Sequence, residues 1–390
     1  MTLSSGRITS PGVKRFFAAA GTSVLVALMV VLGSSPAQAV GVTGSAVQCG
    51  DTLTTSVQLD ADLDCAGTAF IIAASDVTVD LGGHTVVGTT SGISAQNQTG
   101  VTVTNGTVGG GISLTWVTSS TLSNLHVDSL SLKFSSVMVE DSVIQNGRSA
   151  FQGDVTLVRC SVSGLHAQAV DSRITISDST LTDSGFVSNG TTFTLTGNTL
   201  TRFRVNGGEN GSPVVTGNKF IQSALTFFIA SHFDIENNQF TEGSGLAIQD
   251  TVYQPSIVKG NVFDGGTVGV DLDASKLNTI TISHNVFVDN SAAGLLVHSP
   301  RNQVSRSLTI SDNVFASNGK APNGRVDSHG VPVDDGVHID VPPASLVTVG
   351  DNFTLNNADH GIEAQPGSVV DGGGNISVGD PAGCLGVVCR

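Results

Sequence analysis

Basic side chains and large polar rings are scarce in this 390-residue chain. It has one Trp, one Tyr and 17 Lys and Arg residues against 32 Asp and Glu residues, which gives a formal net charge of −15. Nucleic-acid phosphates require a basic surface, so this charge argues against nucleic acid as a partner. It also disfavours polyanionic glycans unless a cation or a local basic patch overrides the global field. The shortage of Trp and Tyr counts against sugar sites built by ring stacking.

Helical patterns are missing as well. No convincing helix of 10–12 residues can be found in the repeated part of the chain, where Val, Ile, Thr, Ser, Gly and Asn dominate. These residues favour strands and turns. Hydrophobic residues make up 39% of the chain and charged residues 13%, so a core can form and disorder is not expected.

The longest apolar run lies at the N-terminus. Arg7, Lys14 and Arg15 precede it, and Ala37 and Ala39 follow it as an A-x-A cleavage site. This pattern predicts a secretory signal peptide over residues 1–39, and the run is short for a membrane span of about 20 residues. Loss of its three basic residues takes the net charge to about −18. We therefore expect a soluble monomer without a membrane span, located outside the cell or in the cell envelope.

Five cysteines remain in the predicted oxidising setting. Cys49 and Cys65 lie near the new N-terminus, and Cys384 and Cys389 lie at the C-terminus. Two local disulfides, 49–65 and 384–389, would staple the two ends. Cys160 is left over and is interpreted as a small buried core residue.

A short phrase recurs along the chain. It reads T-I-S-H-N-V-F at residues 281–287, T-I-S-D-N-V-F at 309–315 and V-T-G-N-K-F at 215–220. About 12 or 13 copies follow one another at intervals of about 17–28 residues. A period in this range indicates a solenoid, and the short segments between Gly, Asn and Asp fit strands rather than helices. The sequence therefore predicts an all-β parallel β-helix of about 12–13 coils.

One position of the phrase is an Asn column. Stacked Asn side chains can pass amide hydrogen bonds along the axis, and Asn tolerates the left-handed backbone of a tight corner. Ser142, Cys160 and Ser179 take this position in earlier coils. The predicted structural ladder consists of Asn198, Asn218, Asn238, Asn261, Asn285, Asn313 and Asn352.

The N-x-F phrase followed by G-[LIV]-x-[LIV], with its Asn column, resembles the right-handed parallel β-helix proteins of the pectin-lyase-like superfamily. The segments C-G-D-T at 49–52, L-D-C at 63–65 and V-T-V-D-L-G-G-H-T at 77–85 resemble secreted bacterial members. The resemblance covers about residues 45–380 and implies a single-stranded, right-handed solenoid. We divide the mature chain into an N-terminal cap at 40–66, the β-helix at 67–380 and a disulfide-closed tail at 381–390. The superfamily includes lyases, hydrolases, epimerases and adhesins, so the resemblance does not select a function.

Ionisable residues gather in the last four or five coils. Parallel stacking brings equivalent strand positions within about 5 Å of each other, and alternate positions point outward. One outward column is Ala247, Asp271, Leu296, His338 and Glu363, and the next is Gln249, Asp273, His298, Asp340 and Gln365. The equivalent strands of the first half carry Ser94, Ser113 and Ser131 instead. In pectin-lyase-like enzymes the resemblance implies a substrate groove along the outer face of a parallel sheet.

The longest insertion, residues 316–335, borders the same region. A long loop in a solenoid is often a binding wall, and we expect this one at the edge of the strand that follows it. The candidate substrate-binding residues are Arg301, Lys320, Arg325 and His329. The candidate catalytic residues are Asp271, Asp273, His298, Asp334, Asp335, His338, Asp340 and Glu363.

These residue types suit two reactions on an extracellular polysaccharide. Paired carboxylates could hydrolyse a glycosidic bond, for which an inverting pair needs about 6.5–9.5 Å between carboxyl groups. A lyase would need a Lys or Arg base beside a cation or Arg that neutralises the uronate carboxyl, and acidic neighbours could hold Ca²⁺. No ligand spacing identifies a metal. The segment at 334–337 loosely resembles the paired-aspartate strand of β-helix polygalacturonases, but their N-T-D, G-H-G and R-I-K triplets have no clear copies here.

Three functional hypotheses follow. The first is a carbohydrate-active enzyme, a lyase or a hydrolase, with its site on the outer face of the C-terminal coils. The second is a non-catalytic glycan-binding or cell-envelope protein. The third is a structural, self-assembling element, against which the two terminal cysteine pairs argue because they look like caps that block end-to-end growth.

Overall fold

In the computed structural model, about 15 turns of parallel β-helix stack along one axis. The structure describes residues 46–390 except 146–147, 152, 209–210, 250, 275, 278, 300–306, 322–323 and 344. The predicted signal peptide lies outside these residues. The sequence-based estimate of 12 or 13 coils was too low, because the first turns lack the N-x-F phrase by which the coils were counted. No helix of the described part has the length and apolarity to cross a membrane.

Each turn contributes one strand to each of three walls. The first wall contains a five-stranded sheet followed by an eleven-stranded sheet, which we call the site sheet. The five strands are Asp51–Leu53, Thr68–Ile72, Ser91–Gln96, Ile112–Thr115 and Leu130–Lys133. The strands of the site sheet are Arg148–Phe151, His166–Val170, Gly185–Asn189, Arg204–Gly207, Ala224–Phe228, Gly245–Gln249, Val268–Asp273, Ala293–His298, Val337–Asp340, His360–Ala364 and Gly383–Leu385.

The other two walls merge through two long strands, Thr102–Gly109 and Ser120–Val127, each of which pairs on both walls. The second wall adds Val57–Gln58, Thr78–Asp80, Val137–Glu140, Asp154–Val158, Arg173–Ser177, Thr192–Thr196, Val214–Thr216, Asp234–Glu236, Ser256–Lys259, Thr279–Ser283, Ser307–Ser311, Val347–Gly350 and Val370–Gly373. The third adds Leu63–Cys65, Thr85–Gly88, Val143–Gln145, Ser161–Ser163, Thr180–Thr182, Thr199–Thr201, Lys219–Ile221, Gln239–Thr241, Val262–Asp264, Val286–Val288, Val314–Ala316, Phe353–Leu355 and Ile376–Val378. Thr251–Val252 and Lys276–Leu277 form a separate short pair.

Disulfides close both ends, as predicted. Cys49 bonds to Cys65, and Cys384 bonds to Cys389. Cys160 is a free thiol buried in the core, also as predicted. Disulfides persist in oxidising compartments, so both bonds are consistent with an extracellular location.

The Asn ladder is confirmed and is one rung longer than expected. The backbone and side-chain amides of Asn285 donate to Asn313 Oδ1 at 2.9 and 3.0 Å, and the same pattern repeats along the column. Asn375, which sequence inspection missed, accepts the last pair of bonds from Asn352. In an earlier coil the hydroxyl of Ser179 accepts a hydrogen bond from the backbone N–H of Cys160. The shorter side chain therefore still supplies one acceptor to its rung.

The left-handed corner residue is not the ladder Asn but the residue before it. Asn237, His284, Asp312 and Asp351 have φ values of 55–58°, and glycines take this position in other coils. The ladder side chain is buried and bonded inward, whereas the corner residue faces solvent. Gly, Asn and Asp tolerate this backbone best, which explains the G-N, N-N and D-N pairs of the repeat.

A second amide ladder, also missed from sequence, runs along the next corner. Asn290 donates to Asn318 Oδ1, Asn318 donates to Asn357 Oδ1, and Asn357 donates to Asp380 Oδ1. The signal was visible, since Asn recurs five residues after Asn285, Asn313 and Asn352. Asp380 ends the ladder, and its second carboxylate oxygen is bonded by Thr354 and Ser377.

The Phe of the repeat forms a stack inside the β-helix. Phe220, Phe240, Phe263, Phe287 and Phe315 lie ring on ring with centroid separations of 4.6–5.0 Å and interplanar angles of 6–12°. All five rings are fully buried. Parallel in-register pairing of the third wall imposes this geometry.

Replacing Phe287 with Leu should lower the free energy of unfolding by about 1–3 kcal/mol, because two ring pairs and some buried area are lost. Urea unfolding measures this change. Phe228→Leu is the matched control, since Phe228 is 40% exposed and its replacement should change stability little. Equal effects of the two substitutions would contradict a stabilising stack.

Candidate functional site

The predicted outward columns have the expected register on the site sheet. Asp271 pairs with Leu296, Leu296 with His338, and His338 with Glu363. In the second column Asp273 pairs with His298 and His298 with Asp340. Sequence alone therefore placed the ionisable groups on one face.

The sequence predicts the insertion after Val314–Ala316 at the edge of this face. In the structure it lies across the face instead. Its backbone turns back between Arg325 and Val333, which share a hydrogen bond. Val333 then packs on Ala292, Ala293 and Leu296 in a small apolar cluster outside the main core.

Coverage by the insertion buries part of the outward columns. His338, Asp340 and Glu363 are 1%, 7% and 9% exposed. The outer face therefore has two layers: a buried cluster beneath the insertion and a partly open surface beside it.

The partly open layer is centred on Asp271. Its Oδ1 lies 2.8 Å from His298 Nε2, and its Oδ2 lies 3.0 Å from Arg325 Nη1. All three side chains are between a quarter and about a third exposed. Burial raises the pKa of Asp271, but the hydrogen bond from His298 and the charge of Arg325 outweigh it, so the pKa lies below its ordinary value. Asp271 is thus a carboxylate that orients an imidazole.

A second carboxylate–histidine pair, buried Asp340 and exposed His329, lies one coil beyond His298. Asp340 Oδ1 is 3.2 Å from His329 Nδ1, and Asp340 Oδ2 accepts the backbone N–H of Ser328 at 2.8 Å. Asp327 holds the turn by accepting backbone N–H groups of His329 and Val331. His329 itself is more than half exposed.

The buried layer is organised by His338. Its Nδ1 donates to Asp335 Oδ2 at 2.7 Å and lies 3.2 Å from Glu363 Oε2, while Nε2 is 3.5 Å from Asp327 Oδ2. Burial alone would lower the pKa of His338, but its hydrogen bond to Asp335 and the negative charges of Asp335 and Glu363 raise it to about 10. A protonated His338 therefore ties Asp327 and Asp335, at the two sides of the insertion, to the strands below.

Carboxylates outnumber cations at the end of this cluster. Burial and the charges of Asp335, Asp359 and Glu363 raise the pKa of Asp334. Among the described residues, three groups have ligand atoms within 4.8 Å of one another and could hold a cation. They are Asp327, His329 and Asp340; Asp335, His360 and Glu363; and Asp334, Asp335 and Asp359.

The remaining predicted residues lie apart from these contacts or outside the described residues. Lys320 is exposed on the insertion, Asp273 is half-buried next to His298 in the sheet, and Arg301 lies outside the described residues. Sequence inspection missed His360 and Asp359. His360 begins the strand that carries Glu363. The sequence pattern assigns outward positions only within that strand and therefore does not include its first residue.

Clefts follow one another along the outer face of the site sheet. One has a volume of about 500 Å³ and another, near the end of the sheet, about 430 Å³. Numbered in chain order along the site sheet, the first cleft is lined by His166, Val187, Arg202, Arg204 and Gln222. The second is lined by Ala224, Ala247, Asp271 and Arg325, and the third by His298, Arg325 and Asp340. The fourth is lined by Ser299, His329, Asp340 and Gln365. Arg202 forms an ion pair with Asp183 in the first cleft, as the surface pairing of charges would suggest. We call the four together the cleft row.

Stacked three-walled coils, internal amide ladders and an outer face with a cleft row define this molecule as a right-handed parallel β-helix protein. The chain belongs to the family described as "Right handed beta helix region", which matches residues 64–323. Both findings confirm the predicted fold class. No curated protein matches the chain.

Several solved structures are similar in fold. The A-module of mannuronan C-5 epimerase AlgE4 from Azotobacter vinelandii is 16% identical, with a TM-score of 0.30 over 88% of this chain and 91% of that one. A mannuronic acid specific polysaccharide family 6 lyase from human gut microbiota is 10% identical, with a TM-score of 0.36 over 78% and 86%. Tailspike protein 3 of bacteriophage CBA120 is 12% identical, with a TM-score of 0.31 over 87% of this chain but 56% of the tailspike. At these identities the similarity concerns the fold alone.

Proposed function

We propose that the protein is an extracellular enzyme that binds an acidic polysaccharide along the cleft row and cleaves it by β-elimination. The observation that carries this proposal is the alignment of the clefts on one face. They extend from His166–Val170 to His360–Ala364, eight strand spacings apart, or roughly 40 Å at about 4.8 Å per strand. A linear polymer matches such a row, whereas a small metabolite would need a single pocket.

Local charge favours an acidic polymer. Arg202 and Arg204 line the first cleft, Arg325 lines the second and third, and His329 lines the fourth. The chain as a whole is strongly acidic, with a net charge of −15. Asp183 and Asp271 pair with Arg202 and Arg325 on this face, yet basic groups recur in every cleft, and these are the groups that would contact the carboxylates of a polyanionic glycan.

The chemistry is assigned to Asp271, His298 and Arg325. Asp271 accepts a hydrogen bond from His298 Nε2, which leaves Nδ1 of a neutral imidazole able to take a proton. In β-elimination this base removes the proton at C5 of a uronate, the electron pair forms the C4–C5 double bond, and the C4–O bond breaks with protonation of the leaving oxygen. Arg325, next to the same carboxylate, is placed to stabilise the negative charge that develops on the uronate.

Hydrolysis fits this centre less well. A glycosidase needs one carboxyl group with a raised pKa as general acid, and the pKa of Asp271 is lowered. The pKa of Asp334 is raised, but Asp334 groups with Asp335 and Asp359 and makes none of the contacts of Asp271. His338 and Glu363 are buried beneath the insertion, and Asp335 is buried at its end, so we assign all three to holding the insertion in place rather than to contact with substrate.

A polysaccharide panel tests the proposal. The purified protein is incubated with acidic and neutral polysaccharides, and the ultraviolet absorbance of unsaturated products is followed together with reducing ends. A rise in both on acidic substrates only is the expected result. Reducing ends without absorbance would replace elimination by hydrolysis. Binding without any cleavage would favour the non-catalytic glycan-binding alternative, and neither binding nor cleavage would overturn the polysaccharide assignment.

A further inference from the structure

Three ligating side chains converge where the insertion rejoins the site sheet. Asp335 ends the insertion, and His360 and Glu363 belong to the next strand of the sheet. His360 Nδ1 lies 3.6 Å from Asp335 Oδ1 and 4.0 Å from Glu363 Oε2. This group is separate from the Asp271 centre, and none of the cleft chemistry uses it.

Two atoms of this group are buried without a hydrogen bond. They are His360 Nδ1 and Glu363 Oε2, the only such side-chain atoms among the described residues. His338 Nδ1 approaches Glu363 Oε2 at 3.2 Å, but its single proton is given to Asp335 at 2.7 Å. Glu363 is only 9% exposed, and a carboxylate oxygen at such depth without a hydrogen bond is costly. A bound cation would satisfy both atoms at once.

The negative charge around this group also favours a bound cation. Asp334 and Asp359 have carboxylate oxygens within 4.8 Å of those of Asp335, so the site carries more negative charge than its imidazoles can balance. In a low-dielectric setting neighbouring carboxylates repel one another unless a cation lies between them.

We propose that Asp335, His360 and Glu363 bind one divalent cation of the Zn²⁺ class, which fixes the insertion to the last turns of the β-helix. Tetrahedral Zn²⁺ with ligands at about 2.0–2.2 Å needs ligand atoms roughly 3.4 Å apart, and the separations of 3.6 and 4.0 Å lie close to that value. The imidazole nitrogen favours Zn²⁺ over Ca²⁺, which takes six to eight oxygen ligands. Asp359 is near enough to His360, at 3.2 Å, to supply or orient a fourth ligand.

Calorimetry and thermal unfolding test the site. Protein stripped with a chelator is titrated with ZnCl₂ at constant pH, and CaCl₂ and MgCl₂ are titrated in parallel. We expect one Zn²⁺ per chain and a rise in Tm with Zn²⁺ that is absent with Ca²⁺. Glu363→Gln and His360→Asn should each weaken Zn²⁺ binding about tenfold or more and abolish the Tm rise.

His329→Asn is the matched control, because His329 belongs to the other His-containing group of potential ligands, Asp327, His329 and Asp340. It should bind Zn²⁺ as tightly as the unsubstituted protein. Equal binding by Glu363→Gln, loss of binding in His329→Asn, or equal stabilisation by Ca²⁺ would each overturn the assignment. Circular dichroism of the metal-free variants verifies folding, and the isosteric Glu363→Gln decides if His360→Asn does not fold. The measurement does not depend on enzymatic activity, so it can fail while the proposed function holds.

Discussion

Replacement of Asn285 by Leu is expected to lower the free energy of unfolding by about 4 kcal/mol. Asn285 is 1% exposed and sits in the middle of the first ladder. Its side-chain amide donates to Val258 O and Asn313 Oδ1, and its Oδ1 accepts from the backbone and side chain of Asn261. Leu has a similar volume but leaves these buried partners without bonds, and each unsatisfied group costs about 1–3 kcal/mol.

Two further variants separate the ladder from general packing. Asn189→Leu replaces an exposed Asn on the site sheet and should leave the urea midpoint nearly unchanged. Asn285→Ser should lose less than Leu, since Ser179 fills the same column in an earlier coil and still offers an acceptor. A urea midpoint that is the same for Asn285→Leu and the unsubstituted protein would show that the ladder contributes nothing to stability.

The second large effect is a loss of polysaccharide cleavage when Asp271 is replaced. Asp271→Asn should reduce the rate of polysaccharide cleavage by about 10²–10⁴-fold, because the amide can no longer stabilise and orient His298 as a base. Arg325 would also lose its carboxylate partner at 3.0 Å. Asp271 is partly exposed, so the unfolding midpoint should fall far less than the activity does.

Asp312→Asn is the matched control for this substitution. Asp312 is an exposed corner residue with φ of 57°, a conformation that Asn also adopts, so both activity and folding should persist. His298→Asn should match the loss seen with Asp271→Asn, and the double variant should lose little more, because the two residues act as a unit. Turnover that survives both single substitutions would remove the proposed centre.

Register on the site sheet was accessible from sequence because the repeat fixes it. Each N-x-F phrase restarts the count of inward and outward positions, so Asp271, His338 and Glu363 could be assigned to one column without coordinates. His360 escaped because it stands at the junction of corner and strand, where alternation does not yet apply. The second ladder escaped because its rungs in earlier coils are Ser184, Ser223 and Ser244 rather than Asn.

Sequence by itself determined the parallel β-helix, the first Asn ladder, the two terminal disulfides and the face on which ionisable residues gather. Each of these follows from a period, a spacing or a local pairing that a one-dimensional pattern records. Only the tertiary structure decided which of those residues are open to solvent, because the insertion returns across the site sheet and covers His338 and Glu363 while leaving Asp271 and His298 partly exposed. The path of an insertion depends on packing of single side chains such as Val333 against Leu296, and no periodicity encodes it.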